Sequence, residues 1–157
     1  MNLSIEFDAR EFEAEVQVKL GSVRTRIQDA MAEQFRDIVM ANFGPPPGLD
    51  RPEPWADLSD RSAIGRAYIL KVNRRFATLY ETGAMAGAVR TSSFDDHARV
   101  SLSDADCAYA TRHHWGDPAR NLPVRRVFPI NLDGSVTDYT MNAVIEAAVH
   151  ELQEAMR

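Results

Sequence analysis

The spacing of apolar residues at the start of the chain predicts a short strand followed by one long helix. Apolar and polar residues alternate over Leu3–Phe7, which is the period-two pattern of a half-buried strand. Asp8 and Glu11 then form a pattern that caps a helix start. Apolar residues recur from there at steps of three and four as far as Ile38. The sequence therefore predicts an amphipathic helix that ends near Asn42 and buries one stripe against a sheet or a partner.

Turn-forming residues divide the rest of the chain into shorter elements. Glycine and proline end the long helix and give an extended, proline-rich loop at about 44–58. The elements predicted after this loop are a helix at 60–82, a β-hairpin with strands at 88–94 and 97–102, a short helix at 105–115, a strand at 124–130 and a C-terminal helix from about Thr137. The C-terminal helix is amphipathic, and its apolar positions are Met141, Ile145, Ala148, Leu152 and Met156.

This order of elements predicts an α+β domain. Its centre is a small mixed or antiparallel sheet of about four strands, packed by the long N-terminal helix and the C-terminal helix. The 157 residues are the size of a single domain, residues 1–157. Because 45% of them are hydrophobic, the chain can supply a core without disulfides or metals.

Charge and cysteine content narrow the class of protein. The formal net charge is −5 and the pI is near 5.3, which argues against a protein that coats nucleic acid or an anionic membrane. The lone Cys107 cannot form an internal disulfide, and its apolar neighbour Ala108 indicates a buried side chain. The sequence has no basic leader and no long apolar run. We therefore expect no export signal and no membrane span, and a protein made in the cytoplasm.

The sequence shows no recognisable catalytic pattern. Adjacent His113 and His114 would point about 100° apart on a helix, so they do not easily face one ion. No serine lies in a Gly-x-Ser-x-Gly sequence, and the glycines at 83–87 lack the Walker lysine and the Rossmann spacing. The residues that a metal-dependent hydrolase would use are His97, His113, His114, Asp95, Asp96, Asp104, Asp106 and Asp117. The sequence therefore predicts a protein that is not an enzyme and holds no metal or cofactor.

The middle of the chain is basic although the whole chain is acidic. Residues 51–100 hold eight basic and six acidic side chains. Five of the basic side chains fall on the predicted second helix, and they are Arg61, Arg66, Lys71, Arg74 and Arg75. A solvated helix face is the commoner role of such residues, but they could also contact phosphate or an acidic partner. A small DNA-binding or regulatory module that uses this basic face is therefore one candidate function.

Aromatic and proline residues in the predicted loops indicate protein contacts. An aromatic side chain flanked by loop-forming residues either fills the core of its own domain or anchors a neighbouring subunit. A loop with three consecutive prolines is stiff and loses little entropy when it docks. The candidate contacts with another subunit or a neighbouring protein are Pro46, Trp55, Leu58, Tyr109, Trp115, Pro123, Arg125 and Phe128.

Six short motifs are spread over almost the whole chain. They are Leu3-Ser4-Ile5-Glu6-Phe7-Asp8, Trp55-Ala56-Asp57-Leu58-Ser59, Ile69-Leu70, Thr82-Gly83-Ala84-Met85, Tyr109-Ala110-Thr111-Arg112-His113-His114-Trp115-Gly116 and Asn121-Leu122-Pro123-Val124-Arg125-Arg126-Val127-Phe128-Pro129-Ile130. In this order they resemble the motifs of the phage virion morphogenesis proteins, which include tail-completion and neck proteins of Mu-like and P2-like tailed phages. The most specific is the Tyr109–Gly116 segment, which is similar to the Tyr-Ala-x-x-His-x-x-Gly motif of that family. The last segment departs from the family pattern by one extra residue and by Val127 in place of proline.

The resemblance implies a structural virion protein without catalytic activity, located at the head–tail junction. Copies of the chain would form a hexameric or dodecameric ring, as a neck or tail-completion subunit. The other partners would be connector, tail-terminator or tail-tube proteins, with no membrane involved. Genomic DNA would pass through the lumen without sequence-specific binding, and a net negative charge suits a channel that does not grip phosphate. The resemblance leaves open which layer of the junction the ring occupies.

Overall fold

The computed structural model describes residues 9–43, 49–53, 55, 83–94, 97–102 and 107–157. The predicted strand Leu3–Phe7, most of the proline-rich loop and the predicted second helix lie outside the described residues. The same is true of Pro46, Leu58 and all five residues of the basic face, Arg61, Arg66, Lys71, Arg74 and Arg75.

The N-terminal helix α1 spans Ala9–Asn42, which confirms the predicted long helix and its end. Burial of its apolar stripe increases along its length. Leu20 is exposed, Ile27 is half-buried and Val39 is fully buried. The gradient arises because the later turns of α1 pack against a β-hairpin and the C-terminal helix. The core of the domain therefore forms around the C-terminal end of α1.

A short helix and a β-hairpin follow one another in the middle of the chain. The short helix α2 spans Ala84–Gly87, and the hairpin consists of β1 (Arg90–Ser93) and β2 (Ala98–Ser101). The two strands are antiparallel, with Thr91 opposite Val100. The predicted hairpin is confirmed.

The hairpin lies on α1, where the hydroxyl of Ser93 donates a hydrogen bond to the carboxylate of Asp29. Within the described residues the sheet has these two strands and not the predicted four or so. The fold is nonetheless a mixture of helices and a small antiparallel sheet, with a long helix at each end of the described chain.

The segment 124–130 is not a strand, so this prediction is wrong. Its backbone polar groups already have partners that are not strands. The N–H of Val127 donates to Nδ1 of His114 at 3.3 Å, and a carbonyl of the same segment accepts from the indole N–H of Trp55. Pro129 has no N–H to give to a ladder. A β-branched, apolar pattern does not distinguish a strand from a buried segment whose backbone binds side chains.

The short helix α3 spans Ala110–Trp115, and a single 3₁₀ turn at Pro118–Arg120 follows it. The predicted helix was longer, from residue 105. The described residues before α3 form a turn instead, in which the N–H of Ala110 donates to the carbonyl of Cys107 at 2.9 Å. Tyr109 precedes the helix with a φ of −117°, outside the helical range. The predicted start was therefore wrong, whereas the predicted burial of Cys107 is confirmed.

The C-terminal helix α4 spans Asp138–Ala155 and starts directly after Thr137, as predicted. It runs antiparallel to α1. Its first turn lies beside Asp50, just beyond the end of α1, and Glu151 near its other end forms an ion pair with Arg26 of α1 at 2.7 Å. Most of the half-buried residues of α4 are small, among them Ala143, Ala147 and Ala148.

Candidate interaction surface

Asn42, the last residue of α1, is fully buried and joins three parts of the chain. Its Nδ2 donates to the carbonyl oxygens of Asp50 at 2.7 Å and Val127 at 3.0 Å. Its Oδ1 accepts from the backbone N–H groups of Leu49 at 3.2 Å and Asp50 at 2.8 Å. These four bonds use both N–H donors of the side-chain amide and both lone pairs of its oxygen. The chain that returns from the proline-rich loop is therefore held against the end of α1.

The carboxylate of Asp50 connects this junction to α4. Its Oδ2 accepts hydrogen bonds from the hydroxyl groups of Thr137 and Thr140, the second at 2.5 Å. A carboxylate beside a helix N-terminus is also stabilised by the positive end of the helix dipole. Asp50 therefore fixes the start of α4 relative to the end of α1.

Arg51 and Trp55 complete the junction on its other side. The guanidinium of Arg51 donates from Nε and Nη2 to the carbonyl oxygen of Asn42, at 3.0 and 2.6 Å, at the negative end of the α1 dipole. The same group lies 3.7 Å from the centre of the Trp55 ring, in a cation–π contact. The indole N–H of Trp55 donates to the carbonyl of Arg126 at 2.9 Å. The indole N–H of Trp55 thus already has a hydrogen-bond partner within the same chain.

His114 is buried in α3, and its environment keeps it neutral. Nδ1 accepts the N–H of Val127, and the ring packs edge-on against Trp115 and Phe128, at centroid distances of 4.5 and 5.7 Å. Burial, with the positive charge of Arg126 as a second cause, lowers the pKa of His114 from 6.5 to about 4. The imidazole is therefore uncharged at neutral pH and acts as a hydrogen-bond acceptor.

Acid is expected to destabilise the fold through His114. The unfolded chain binds this proton more readily, because its pKa stays near 6.5 while the folded pKa is about 4. The contribution of His114 to the free energy of unfolding is complete above pH 6.5 and is lost as the pH falls toward 4. About 2 kcal/mol is lost at pH 5. Urea unfolding at pH 8 and pH 5 measures this loss. His114→Asn keeps an acceptor but does not titrate, so its loss should be about 2 kcal/mol smaller. Equal losses in both proteins would contradict this role.

Gly116 ends α3 in a conformation that requires glycine. Its φ is +78° and its ψ is 167°, and an added Cβ would lie 3.1 Å from both the carbonyl oxygen of Leu122 and Cγ2 of Val124. The loop that follows is closed by two backbone hydrogen bonds between Asp117 and Leu122, at 2.9 and 3.0 Å. A hydrogen bond from Arg120 at 2.5 Å lowers the pKa of the Asp117 carboxyl group. Gly116 thus lets the chain turn back toward the junction.

Three of the motifs that carry the family resemblance meet at the segment 125–128. Trp55, from the Trp-x-x-Leu-Ser motif, binds the carbonyl of a residue 71 positions away. His113, from the Tyr-Ala-x-x-His-x-x-Gly motif, accepts the N–H of Arg125 at its carbonyl oxygen, at 2.8 Å. The third motif is the 121–130 segment itself. Motifs that are far apart in the sequence therefore form one hydrogen-bonded junction.

An apolar groove runs along β2. It consists of two adjoining cavities of about 630 and 330 Å³ that share Val100, Phe128 and Ile130, and we call these joined cavities the β2 groove. Phe35 of α1 lines the larger cavity. Trp115 lines the smaller one and is 54% exposed. An apolar groove with an exposed tryptophan at its end is a surface suited to binding another protein.

The candidate contact residues fall into two groups. Trp55 and Arg125 contact other parts of the same chain, since the ring of Trp55 is half-buried and the side chain of Arg125 is buried. Trp115 and Phe128 come together in the β2 groove, and Tyr109 is exposed at the start of α3. Pro123 is half-buried. Their contact with a neighbouring subunit remains a prediction.

The sequence-based prediction missed Asn42 and Asp50, which hold the junction together. One signal was available for Asn42. It lies four residues after Ile38 and seven after Phe35, so it occupies the register of the apolar stripe. A polar residue in that register must have buried hydrogen-bond partners. No comparable pattern marks Asp50.

The described residues contain no group of three or more His, Cys, Asp or Glu side chains placed to bind a metal ion. None of the helices in this part of the chain is long and apolar enough to cross a membrane. The chain matches no protein-family model, no curated protein and no solved structure at a significant level.

Proposed function

We propose that this chain is a structural subunit of a tailed-phage virion, which forms a ring at the head–tail junction as a neck or tail-completion protein. The observation that carries the proposal is the convergence of the resembling motifs. Trp55 and the helix before Gly116 are far apart in the sequence, yet both form hydrogen bonds with the segment 125–128.

The chemistry of the junction also supports a structural role. His114 is buried, neutral and already accepting a hydrogen bond, and the indole N–H of Trp55 is already donating one. Side chains whose polar groups are bonded to the backbone in this way hold the backbone in place. The β2 groove, by contrast, offers apolar surface to a partner. A ring subunit needs both properties: a rigid frame and surfaces that other proteins cover.

A free edge of the hairpin belongs to the same proposal, as a place where another strand would pair. In the hairpin, the N–H of Phe94 donates a hydrogen bond to the carbonyl of His97. This bond determines which pairs of opposite residues are hydrogen-bonded to each other and which are not. The backbone groups of Val100 therefore point away from β1, to the other edge of β2. A strand from a neighbouring protein that paired there would add a third strand to the sheet. Protection of the Val100 amide from hydrogen exchange on assembly is the expected sign.

Inactivation of the gene in the phage that encodes it tests the proposed function. We expect filled heads and complete tails to accumulate separately, seen by electron microscopy, and plaques to be lost. A plasmid copy of the intact gene should restore joined particles. A normal yield of joined, infectious particles without the protein would contradict the proposal.

The alternative of a DNA-binding module makes a different prediction. Such a module would retain duplex DNA in a gel-shift titration, with binding that weakens steeply as salt rises. We expect no such retention from the ring subunit. Steeply salt-dependent retention that is lost in a variant with Arg74→Ala and Arg75→Ala would favour the module instead.

A further inference from the structure

The edge of β2 that points away from β1 is paired with no other strand among the described residues. Ala98 and Val100 belong to the pairs of the hairpin that are not hydrogen-bonded to each other, so their backbone N–H and C=O groups point to this edge. We call it the outer edge of β2. An edge of this kind accepts a further strand through main-chain hydrogen bonds.

The β2 groove lies beside β2 rather than β1. The described residues that line its two cavities include all of 97–102 and none of β1. Along β2 the apolar residues Ala98, Val100 and Leu102 alternate with the polar residues Arg99 and Ser101. A strand added at the outer edge would therefore continue the apolar face of β2, with every second side chain on the same face as Val100.

The predicted strand Leu3–Phe7 has the pattern that this edge requires. Like the segment 98–102, it has five residues with apolar side chains at the first, third and fifth positions. In an antiparallel alignment centred on Ile5 and Val100, the opposite residues are Leu3 and Leu102, Ser4 and Ser101, Ile5 and Val100, Glu6 and Arg99, and Phe7 and Ala98. Apolar pairs and pairs of opposite charge are the cross-strand neighbours that stabilise a sheet. A parallel alignment with the same centre would place Glu6 opposite Ser101 instead.

The charges of the two surfaces are also complementary. Residues 1–8 contain Glu6 and Asp8 and neither lysine nor arginine. The described residues that line the β2 groove include Arg99 and no aspartate or glutamate. An acidic strand would therefore meet a basic side chain at this edge, and no carboxylate of the described lining would repel it.

The segment cannot reach the outer edge of its own chain. α1 is a single helix from Ala9, and Gln28, the first residue of α1 that lines the groove, lies about 28 Å along it. Leu3 precedes Ala9 by six residues, so even a fully extended chain carries it only about 20 Å from the start of α1. Ile5 and Phe7 reach less far. The segment can therefore pair only with the outer edge of a second copy.

We propose that the segment Leu3–Phe7 of one copy adds to the outer edge of β2 in the next copy, antiparallel and with Ile5 opposite Val100. This assignment rests on the proposed ring and names the strand that enlarges the sheet. The donated segment and the accepting edge are different parts of the subunit, so the contact is head-to-tail. Such a contact repeats from copy to copy and closes into a ring when the rotation permits.

Disulfide cross-linking tests the pairing. A chain with Ile5→Cys is mixed with a chain with Val100→Cys and oxidised at the highest soluble concentration, and we expect dimers that contain one chain of each kind. The matched control is Ser4→Cys, which should cross-link to Val100→Cys about tenfold less because its side chain points to the opposite face of the strand. Cys107 is buried and serves as the unreactive internal control. Circular dichroism checks that each variant remains folded.

Three results would overturn the proposal. The first is equal cross-linking of Ile5→Cys and Ser4→Cys, or of neither. The second is efficient dimers of Val100→Cys alone, which would indicate that two β2 edges meet. The third is an internal cross-link in a monomer that carries both Ile5→Cys and Val100→Cys, which would place the segment in its own chain. We expect this double variant to give oligomers instead.

Charge reversal tests the alignment independently. Addition of Glu6→Arg to the Ile5→Cys chain should lower the yield of the cross-link about fivefold, because two basic side chains would then be opposite. Addition of Arg99→Glu to the Val100→Cys chain should restore the yield. The matched control is Asp8→Arg, which makes the same change of charge beyond the aligned residues and should have a smaller effect. A yield that Arg99→Glu does not restore would contradict the antiparallel alignment.

The outcome also separates this pairing from the proposed function. Cross-linked oligomers from a protein that is absent from virions would uphold the pairing and refute the virion role. A double variant that stops at dimers would uphold the pairing and refute the ring, because two copies would have exchanged strands. A protein found in virions whose cysteine variants do not cross-link would uphold the virion role and refute the pairing.

Discussion

Replacement of Asn42 by alanine is expected to lower the free energy of unfolding by about 4 kcal/mol. The side chain is fully buried and makes four hydrogen bonds, to Leu49, to Val127 and twice to Asp50. Alanine fills none of these roles, so it leaves the buried carbonyl of Val127 and the partly buried backbone groups of Leu49 and Asp50 without their partner. The loss should be large because the missing bonds join α1 to two other parts of the chain.

Urea unfolding at pH 7, followed by circular dichroism, measures this loss. The matched control is Asn131→Ala, which removes a single exposed hydrogen bond to Ser135 and should cost less than about 1 kcal/mol. Similar losses in the two variants would show that the junction around Asn42 does not stabilise the fold as we describe.

Gly116→Ala is expected to destabilise the fold by about 3 kcal/mol. Two causes add together. The backbone at φ +78° and ψ 167° is accessible almost only to glycine, and the new methyl group would press against the carbonyl oxygen of Leu122 and the side chain of Val124 at 3.1 Å. The carbonyl is held by its own hydrogen bond to the N–H of Asp117, so it cannot easily move away.

Gly134→Ala separates the two causes. Gly134 also has a positive φ, +86°, but an added Cβ would meet no atom within 4 Å. It should therefore show backbone strain alone, about 1 kcal/mol. The melting temperature and the urea midpoint of the two variants give the comparison. If Gly134→Ala is as destabilising as Gly116→Ala, then contact with the loop at residues 122–124 is not the reason.

The long helices and the hairpin could be predicted because their patterns are local and repeated. α1 shows one periodicity over most of its 34 residues, and the hairpin is marked by the turn at residues 95 and 96 and by the alternation of the strand after it. The start of α4 was predicted to within a residue, since Thr137 precedes a clear apolar repeat. Local signals of this kind do not depend on the rest of the chain.

The features that were missed depend on contacts distant in sequence. The segment 124–130 has the composition of a strand. Its carbonyl oxygens, however, accept hydrogen bonds from the side chains of Asn42 and Trp55, which lie about 70–85 residues earlier in the sequence. The pattern of α4 indicates an apolar face, but the pattern does not tell whether its own domain or another molecule covers it. In the structure most of the half-buried side chains of α4 are small, and its large apolar side chains remain exposed.

Only part of the candidate contact surface could be predicted, because it also depends on contacts between residues that are distant in sequence. Trp115 and Phe128 lie together in the β2 groove although thirteen positions separate them. Trp55 has the same loop setting in the sequence as Trp115, yet its indole binds Arg126 within the chain. Flanking loop residues therefore identify aromatic side chains near the surface, and the hydrogen-bond partner decides which of them stays exposed.

Quantitative mass spectrometry of purified virions tests the central claim most directly. If the chain is a ring subunit at the head–tail junction, joined particles should contain it in one fixed copy number, that of a hexamer or a dodecamer. Heads and tails that have not yet joined should differ in whether they carry it. Absence of the protein from purified, infectious particles, or a trace amount that varies between preparations, would contradict the claim.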